Sequence, residues 1–178
     1  DPPDYPSSGI SDSPVGKNGY ITFGCFSRYE KLSTAYLATC QEILLAVPNS
    51  RMEFKDNAFR QPYAVKRALE VMYAVDPRRL SFRIGTSQPD HMLAYQRCDL
   101  ILDPFPHSGG TVCLEQLWMG VPLVTLYGTQ AAGRTTSSVL TAIGRERWVA
   151  RTREEYIGLA ASYAVEFQSA LTHARKVL

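Results

Sequence analysis

The amino-acid sequence predicts an α/β protein whose mostly parallel sheet is doubly wound, with helices on both faces. Short apolar segments rich in β-branched and aromatic residues alternate with longer segments of helical periodicity. Helix-capping residues, glycines and prolines separate the two kinds of segment. The chain has 178 residues, and a domain of this size buries roughly 70% of the surface of its unfolded chain. One folded domain with one sheet is therefore expected.

The first 19 residues differ in composition from the rest. Residues 1–18 contain four prolines and many Ser, Gly and Asp, a composition that buries too little apolar surface to offset the entropy of ordering. We therefore predict a flexible linker over residues 1–19 and a folded domain over residues 20–178. The start lacks a secretion signal and an initiator Met, which indicates a piece of a longer protein.

Composition excludes several classes of protein. The hydrophobic share of 45% and charged share of 20% are those of an ordinary globular domain. No apolar run approaches the ~20 residues of a membrane span. A net charge of +2 with scattered Lys and Arg argues against a nucleic-acid partner. The four cysteines form no C-x-x-C pair and have apolar neighbours, which predicts buried free thiols and a cytoplasmic location: Cys25, Cys40, Cys98 and Cys113.

The first half of the chain predicts three strands and two helices. The strands are Tyr20–Phe26, Arg51–Lys55 and Leu80–Ile84. The first helix begins after the cap residue Ser33 and ends at Ala46. The second begins at Pro62 and ends before Asp76, with Val65, Leu69 and either Met72 or Tyr73 on one apolar face.

The second half predicts two more strands, Leu100–Leu102 and Leu123–Leu126, and four helices. One helix begins near Ser87 or Gln88, with Pro89 in its first turn. The next contains Leu114, Leu117 and Trp118 at helical spacing and ends at Gly120. The last two are Ala131–Ile143, ended by Gly144, and a long helix from Thr152 toward Val177.

A glycine pair lies where a buried strand is followed by a helix. Gly109 and Gly110 lie between the strand that stops at Asp103 and the helix that begins near Thr111. Such a loop lies at the carboxyl edge of a parallel sheet, where glycines admit a ligand to the backbone and unpaired helix N–H groups attract phosphate. A tight turn without a ligand is the alternative. Arg28 and Lys31 follow the first strand and place two cations at the same edge.

The segment Leu100–Leu126 also resembles the nucleotide-sugar loop of the O-GlcNAc transferase family, including its SPINDLY-like members. The similar residues are Asp103, Gly109-Gly110-Thr111, Glu115, Leu117-Trp118, Gly120, Pro122 and Val124-Thr125. A weaker similarity extends from about Tyr20 to Gly144. The resemblance implies a Rossmann-like unit, the carboxyl-terminal half of a GT-B glycosyltransferase.

The resemblance implies a role for each candidate residue. Lys31 would contact the diphosphate and stabilise the departing nucleotide, Glu115 would bind the ribose, and His91 would lie near the uracil and diphosphate. Each also has a plainer interpretation: a solvated lysine, a carboxylate placed well near a helix amino terminus, and a histidine at a helix start. His107 and His173 have no match in the family, and the three histidines lack metal-ligand spacing.

The chain departs from the family at two positions of this site. Val112 stands where members can have a threonine, and its side chain cannot donate a hydrogen bond. Arg28 stands where human-type members have a glutamine. The backbone N–H donors of the loop are unaffected by either change.

By resemblance, the chain would be the donor-binding half of an inverting, metal-independent glycosyltransferase without a cofactor. Its donor would be a UDP-sugar, UDP-GlcNAc above others, and its acceptor a protein Ser or Thr hydroxyl reached through the missing half. The isolated chain is expected to be inactive, because a GT-B cleft lies between two halves. The alternatives are a protein N-glucosyltransferase, a UDP-sugar epimerase of GT-B type, and a nucleotide-binding or scaffold domain without turnover.

Overall fold

The predicted α/β fold is confirmed by a computed structural model that describes residues 12–169. Six parallel strands form one sheet in the order β3-β2-β1-β4-β5-β6. The strands are β1 (Ile21–Cys25), β2 (Ser50–Lys55), β3 (Leu80–Arg83), β4 (Leu100–Leu102), β5 (Leu123–Leu126) and β6 (Val149–Ala150). The sequence predicted the first five but not β6, since two residues are too few to show a strand pattern.

Helices follow the strands in alternation. They are α1 (Val15–Asn18), α2 (Thr34–Ala46), α3 (Pro62–Val71), α4 (Gln88–Ala94), α5 (Thr111–Trp118), α6 (Thr135–Ala142) and α7 (Arg153–Ser169). The predicted cap of α2 is confirmed, because the Ser33 hydroxyl accepts a hydrogen bond from the Tyr36 N–H at 3.0 Å. Gly120 and Gly144 end their helices with φ of 71° and 68°, which glycine adopts without steric cost.

The strand order places a topological switch between β1 and β4. Helices α2, α3 and α7 pack on one face of the sheet around Phe23 and Phe54. Helices α4, α5 and α6 contribute to the core on the opposite face, around Ile101 and Leu123. Loops that leave the carboxyl ends of β1 and β4 therefore diverge to opposite faces, and this divergence opens the crevice in which doubly wound sheets bind ligands.

Part of the predicted linker is folded against the domain. Val15 in α1 is only 4% exposed and belongs to the main core. The buried carboxylate of Asp99 accepts hydrogen bonds from the Ser13 hydroxyl and from the backbone N–H groups of Val15 and Thr22. The linker prediction is thus wrong for residues 12–19, since satisfying this buried carboxylate repays the entropy of ordering them. Residues 1–11 lie outside the described part.

The helix predicted from the spacing of Leu114, Leu117 and Trp118 is confirmed as α5, and the structure shows which of its residues are buried. Leu114 and Trp118 are 53% and 58% exposed, whereas Cys113 and Gln116 face the interior. The sequence showed apolar residues at helical spacing, but spacing alone does not decide which side of a short helix packs on the sheet. Glu115 lies on the side of α5 that contacts His91 of α4.

Two helix predictions need smaller corrections. The helix predicted to run from Pro62 to before Asp76 ends at Val71, and of the two candidates that follow it Met72 is buried and Tyr73 exposed, while Val65 and Leu69 are half-buried. The helix expected from Ala131 is a 3₁₀ turn at Ala131–Gly133 followed by α6. The last helix begins as predicted, and its course beyond residue 169 toward Val177 lies outside the described residues.

Candidate functional site

Most of the candidate residues lie at the carboxyl edge of the sheet around the switch point. Lys31 ends a 3₁₀ turn, Tyr29–Lys31, that follows β1. The loop between β4 and α5, residues 103–110, contains the glycine pair and is called the glycine loop below. Parallel strands deliver their following loops to one edge, so residues far apart in sequence meet there. The sequence prediction of one common edge is confirmed by this placement.

The side chain of Asp103 anchors the glycine loop through hydrogen bonds. The Asp103 carboxylate is buried, and it accepts hydrogen bonds from the Gly109 N–H at 2.8 Å and the Thr125 hydroxyl at 2.7 Å. A Cβ atom at Gly109 would lie 2.8 Å from Asp103 Oδ1, closer than real Cβ contacts allow. A Cβ at Gly110 would meet nothing within 4 Å. Packing therefore requires glycine at position 109, because a side chain there would collide with Asp103. Position 110 has room for a side chain.

Burial dominates the electrostatics of Asp103. It raises the pKa of this carboxyl to about 6, while the hydrogen bonds from Thr125 and Gly109 and the charge of Lys31 act in the opposite direction. At neutral pH the carboxylate is ionised, and its negative charge strengthens the hydrogen bonds that it accepts from Gly109 and Thr125.

Lys31 ties the first loop to the glycine loop. Its ammonium donates to the carbonyl oxygen of Ser108 at 2.6 Å. The Ser108 hydroxyl in turn donates to the carbonyl of Ala132 at 3.1 Å. The cation predicted to face a diphosphate is thus held immediately before Gly109, at the entrance to α5.

His91 and Glu115 meet in a partly buried chain of polar side chains. His91 Nε2 lies 3.5 Å from Glu115 Oε2 and 2.9 Å from the hydroxyl oxygen of Tyr95. The Tyr95 hydroxyl donates to Glu115 Oε2 at 3.1 Å. On its other side His91 Nδ1 lies 2.7 Å from the ammonium of Lys55. The sequence prediction that these two residues share one edge is confirmed, and the structure adds Lys55 and Tyr95 to them.

Burial and neighbouring charge act in the same sense on the histidine. Burial, then the charge of Lys55, lower the pKa of His91 below its ordinary value of 6.5, against the opposing influence of Glu115. Burial, then the charge of Arg97, lower the pKa of Lys55 from 10.5. An ammonium and an imidazolium cannot face each other at hydrogen-bond distance, so the imidazole, which has the lower ordinary pKa, is the neutral partner.

The remaining candidates are exposed. Arg28 forms no side-chain hydrogen bond or ion pair within the described residues, and its carbonyl accepts from the Lys31 N–H at 2.9 Å. Thr111 is exposed as the first residue of α5. His107 is exposed in the glycine loop, and His173 lies outside the described residues.

Three contributors were missed by the sequence argument. Tyr95 follows His91 by four positions, which places them on one side of a helix, and this spacing was a usable signal. Lys55 lies within a predicted strand, where its buried ammonium has no local signature. Ser108 contributes its backbone carbonyl oxygen. Every residue has this group, so the residue type could not indicate the contact.

Within residues 12–169 no helix is long and apolar enough to cross a membrane. The same range holds no group of three or more His, Cys, Asp or Glu side chains arranged to hold a metal ion. The four cysteines are all buried, and none of them forms a disulfide within this range, as the sequence predicted.

Comparison with known protein families accounts for nearly the whole chain. The family model for glycosyl transferase family 41 matches residues 16–178. This chain belongs to glycosyl transferase family 41. The family resemblance carried by the glycine loop is thereby confirmed, and the match extends well beyond Tyr20 and Gly144.

Curated relatives support the membership in family 41. The chain is 35% identical over 163 residues to a protein of Petunia hybrida named probable UDP-N-acetylglucosamine–peptide N-acetylglucosaminyltransferase SPINDLY. It is 31% identical over 145 residues to the UDP-N-acetylglucosamine–peptide N-acetylglucosaminyltransferase of Caenorhabditis elegans. The matches cover 90% and 79% of this chain but only 18% and 12% of the relatives. The chain therefore spans less than a fifth of either relative.

Solved structures agree with this family 41 assignment. An O-GlcNAc transferase of Thermobaculum terrenum, solved as a mutant, superposes with a TM-score of 0.87 at 34% identity. The match covers 99% of this chain and 34% of that one. The UDP-GlcNAc 2-epimerase of Neisseria meningitidis matches with a TM-score of 0.59 at 13% identity, over 89% of this chain and 42% of that one. The epimerase shares the fold alone, so the epimerase alternative gains no support from it.

Proposed function

We propose that this chain is the donor-binding domain of an inverting protein O-GlcNAc transferase whose donor is UDP-GlcNAc. Membership in family 41 supports a glycosyltransferase, and the names of the relatives supply the donor and the peptide acceptor. The observation that carries the proposal is the meeting of His91 with Glu115, and of Lys31 with the glycine loop, at the switch point.

The diphosphate lies against the glycine loop in this proposal. Gly110 leaves open space in front of the backbone. The start of α5 has no side-chain cap, and its first two N–H groups, those of Thr111 and Val112, precede the first N–H that bonds within the helix, that of Cys113 to the Gly110 carbonyl at 3.2 Å. Lys31 lies beside this position on the Ser108 carbonyl. Thr111 adds a hydroxyl and Arg28 an exposed cation at the rim.

The nucleoside lies toward α4. Glu115 lies four residues after Thr111, on the same side of α5, and its carboxylate is available to accept hydrogen bonds from ribose hydroxyls. His91 faces the same carboxylate from α4, and in this proposal its imidazole lies near the uracil and diphosphate. The protein groups at this end are preorganised by the hydrogen bonds of Tyr95.

In the proposed reaction a Ser or Thr hydroxyl of the acceptor attacks the anomeric carbon from the face opposite UDP. The new C–O bond forms as the bond to the β-phosphate oxygen breaks, and the proton of the hydroxyl passes to water. The departing electron pair increases negative charge on the diphosphate. Lys31 and the loop N–H groups stabilise that charge, an electrostatic form of catalysis that needs neither metal nor cofactor.

Calorimetry tests the donor site. The purified chain, shown to be folded by circular dichroism, is titrated with UDP, UDP-GlcNAc and UDP-glucose. We expect binding of UDP and tighter binding of UDP-GlcNAc than of UDP-glucose. A folded chain that binds no uridine nucleotide would overturn the proposal, and binding without turnover in the full-length protein would favour the scaffold alternative. Preference for UDP-glucose would favour the N-glucosyltransferase alternative.

The isolated chain should not transfer sugar. A GT-B active site lies between two Rossmann-like halves, and this chain covers 34% of the Thermobaculum enzyme. Acceptor contacts would then come from the rest of the protein. Measurable transfer from UDP-GlcNAc to a peptide by the purified chain would contradict this expectation, with the full-length enzyme as positive control.

We also propose a cytoplasmic location. The four cysteines are buried and form no disulfide within residues 12–169, whereas domains exported to an oxidising compartment commonly carry disulfides. Fractionation of cells that express the full-length protein tests this, with recovery of the protein outside the cytoplasmic fraction as the contrary result.

A further inference from the structure

Lys55 is a charged residue in an unusual environment. It is the last residue of β2, and only 3% of it is exposed. Lysine is rarely buried unless it is paired, yet none of the ion pairs within residues 12–169 includes Lys55. Its ammonium instead lies 2.7 Å from His91 Nδ1 and 5.9 Å from the ring centroid of Phe26.

The contact with Lys55 determines which nitrogen of His91 carries the proton. An ammonium has hydrogen-bond donors and no acceptor, so His91 Nδ1 must accept. The neutral imidazole then carries its proton on Nε2, which faces the Tyr95 hydroxyl oxygen at 2.9 Å. That hydroxyl donates its own proton to Glu115. This is the only arrangement in which Lys55, His91 and the Tyr95 hydroxyl each donate to the next group of the chain.

We propose that Lys55 is a positioning residue of the donor site, holding His91 as the Nε2-protonated neutral tautomer and thereby orienting Tyr95 and Glu115 toward the nucleotide. The inference rests on the proposed function, since His91 and Glu115 are its ligand-binding groups. Lys55 is 3% exposed and its ammonium contacts His91, so in this proposal it acts through His91.

The charges around His91 come from three elements. Lys55 faces it from β2 and Glu115 from α5. On its own helix, Asp90 is hydrogen-bonded by the Ser87 hydroxyl at 2.6 Å. The Tyr95 hydroxyl also faces the ring, and burial raises the pKa of Tyr95 above its ordinary value. Lys55 is the cation in contact with the ring, so its removal should raise the pKa of His91.

Nitrogen NMR tests the tautomer directly. In the chain labelled with ¹⁵N-histidine, the His91 signal is assigned by its loss in His91→Gln. We expect Nε2 protonated, Nδ1 unprotonated and a pKa below 6.5. Protonation at Nδ1 in the wild-type chain would overturn the proposal, whether or not any variant folds. In Lys55→Met the His91 pKa should rise, with a population of the Nδ1-protonated tautomer.

Calorimetry with UDP tests the effect on the site. We expect Lys55→Met to weaken UDP binding roughly 3- to 10-fold, because the hydrogen bond that orients His91 is lost. Lys55→Arg, which keeps the charge, should recover part of it. Lys66→Met is the matched control, because Lys66 is an exposed lysine on α3 paired with Glu70.

The two measurements separate this inference from the proposed function. If the wild-type chain binds no UDP, the proposed function fails while the NMR result still decides the contact between Lys55 and His91. If UDP binds and a folded Lys55→Met binds it as tightly as wild type, the positioning role is wrong. An unchanged His91 pKa and tautomer in folded Lys55→Met would overturn it as well.

Discussion

The ammonium of Lys31 donates to the carbonyl oxygen of Ser108 at 2.6 Å and so joins the loop after β1 to the loop after β4. These loops leave neighbouring strands at the switch point of the sheet. A cation held there by a backbone carbonyl is fixed in place before any ligand arrives. Preorganised charge of this kind is effective in catalysis because it costs no reorganisation during the reaction.

Lys31→Ala in the full-length enzyme should slow transfer far more than it weakens binding of the UDP-sugar. If the ammonium acts mainly on the charge that develops as the glycosidic bond breaks, kcat should fall about 10²- to 10³-fold, roughly 3 to 4 kcal/mol. Steady-state kinetics and calorimetry on the same preparation measure the two effects.

Lys31→Arg is the control for charge. It keeps the cation but replaces a compact donor with a planar fork, so only partial recovery of kcat is expected. A kcat near the wild-type value in Lys31→Ala, or a loss of affinity as large as the loss of rate, would contradict the assigned role.

Glu115→Ala should mainly raise KM. A ribose contact is made equally in the ground state and the transition state, so its loss leaves kcat nearly unchanged. The expected cost is about 1 to 3 kcal/mol in kcat/KM, the range for a hydrogen bond to a charged group. Glu70→Ala on α3 is the matched control, since this exposed glutamate pairs with Lys66 away from the site. Abolished turnover with unchanged KM would reverse the assignment.

The two glycines of the loop should respond differently to alanine. Gly109→Ala places a methyl 2.8 Å from the buried Asp103 carboxylate, and we expect the free energy of unfolding to fall by about 1 to 3 kcal/mol. Gly110→Ala meets open space, so the free energy of unfolding should change by less than about 1 kcal/mol.

The same pair tests where the diphosphate lies. A methyl on Gly110 occupies the space proposed for the phosphates, and UDP affinity should drop roughly tenfold, about 1.4 kcal/mol. Urea unfolding and calorimetry measure both variants. Unchanged UDP binding in Gly110→Ala would place the diphosphate elsewhere.

Asp103 should give the stability a characteristic pH dependence. Its pKa is raised from 3.8 to about 6 in the folded chain, so between these values the folded state binds more protons than the unfolded state. The free energy of unfolding contributed by Asp103 therefore decreases as pH rises from about 4 to about 6 and is constant above that, a change of about 3 kcal/mol at most.

Asp103→Asn removes this titration, so the difference in unfolding free energy between variant and wild type should change over that pH window. Asp76→Asn is the control: Arg78 lowers the pKa of Asp76 to about 2, and its contribution is lost only as pH falls below about 4. Urea unfolding at several pH values measures both. Parallel pH profiles for wild type and Asp103→Asn would show that this carboxyl has no raised pKa.

Local sequence patterns predicted most of the secondary structure and the edge of the sheet at which the glycine loop lies. Alternating apolar strands and capped helices are read within short windows, so five strands and the starts of α2, α3 and α4 were predicted correctly. The glycine pair after a buried strand could be assigned to the carboxyl edge because a parallel sheet delivers every such loop there.

The tertiary structure decided which side chains meet. Lys55 and His91 are 36 residues apart, and Ser13 and Asp99 are 86 apart, so no window of sequence contains either contact. The spacing of Leu114 and Trp118 predicted a helix correctly but not that these residues would be exposed. A helical period specifies the relative directions of side chains, whereas their absolute direction depends on which elements pack together. Burial of a charged group likewise selects its partner from whatever the fold brings within hydrogen-bond distance.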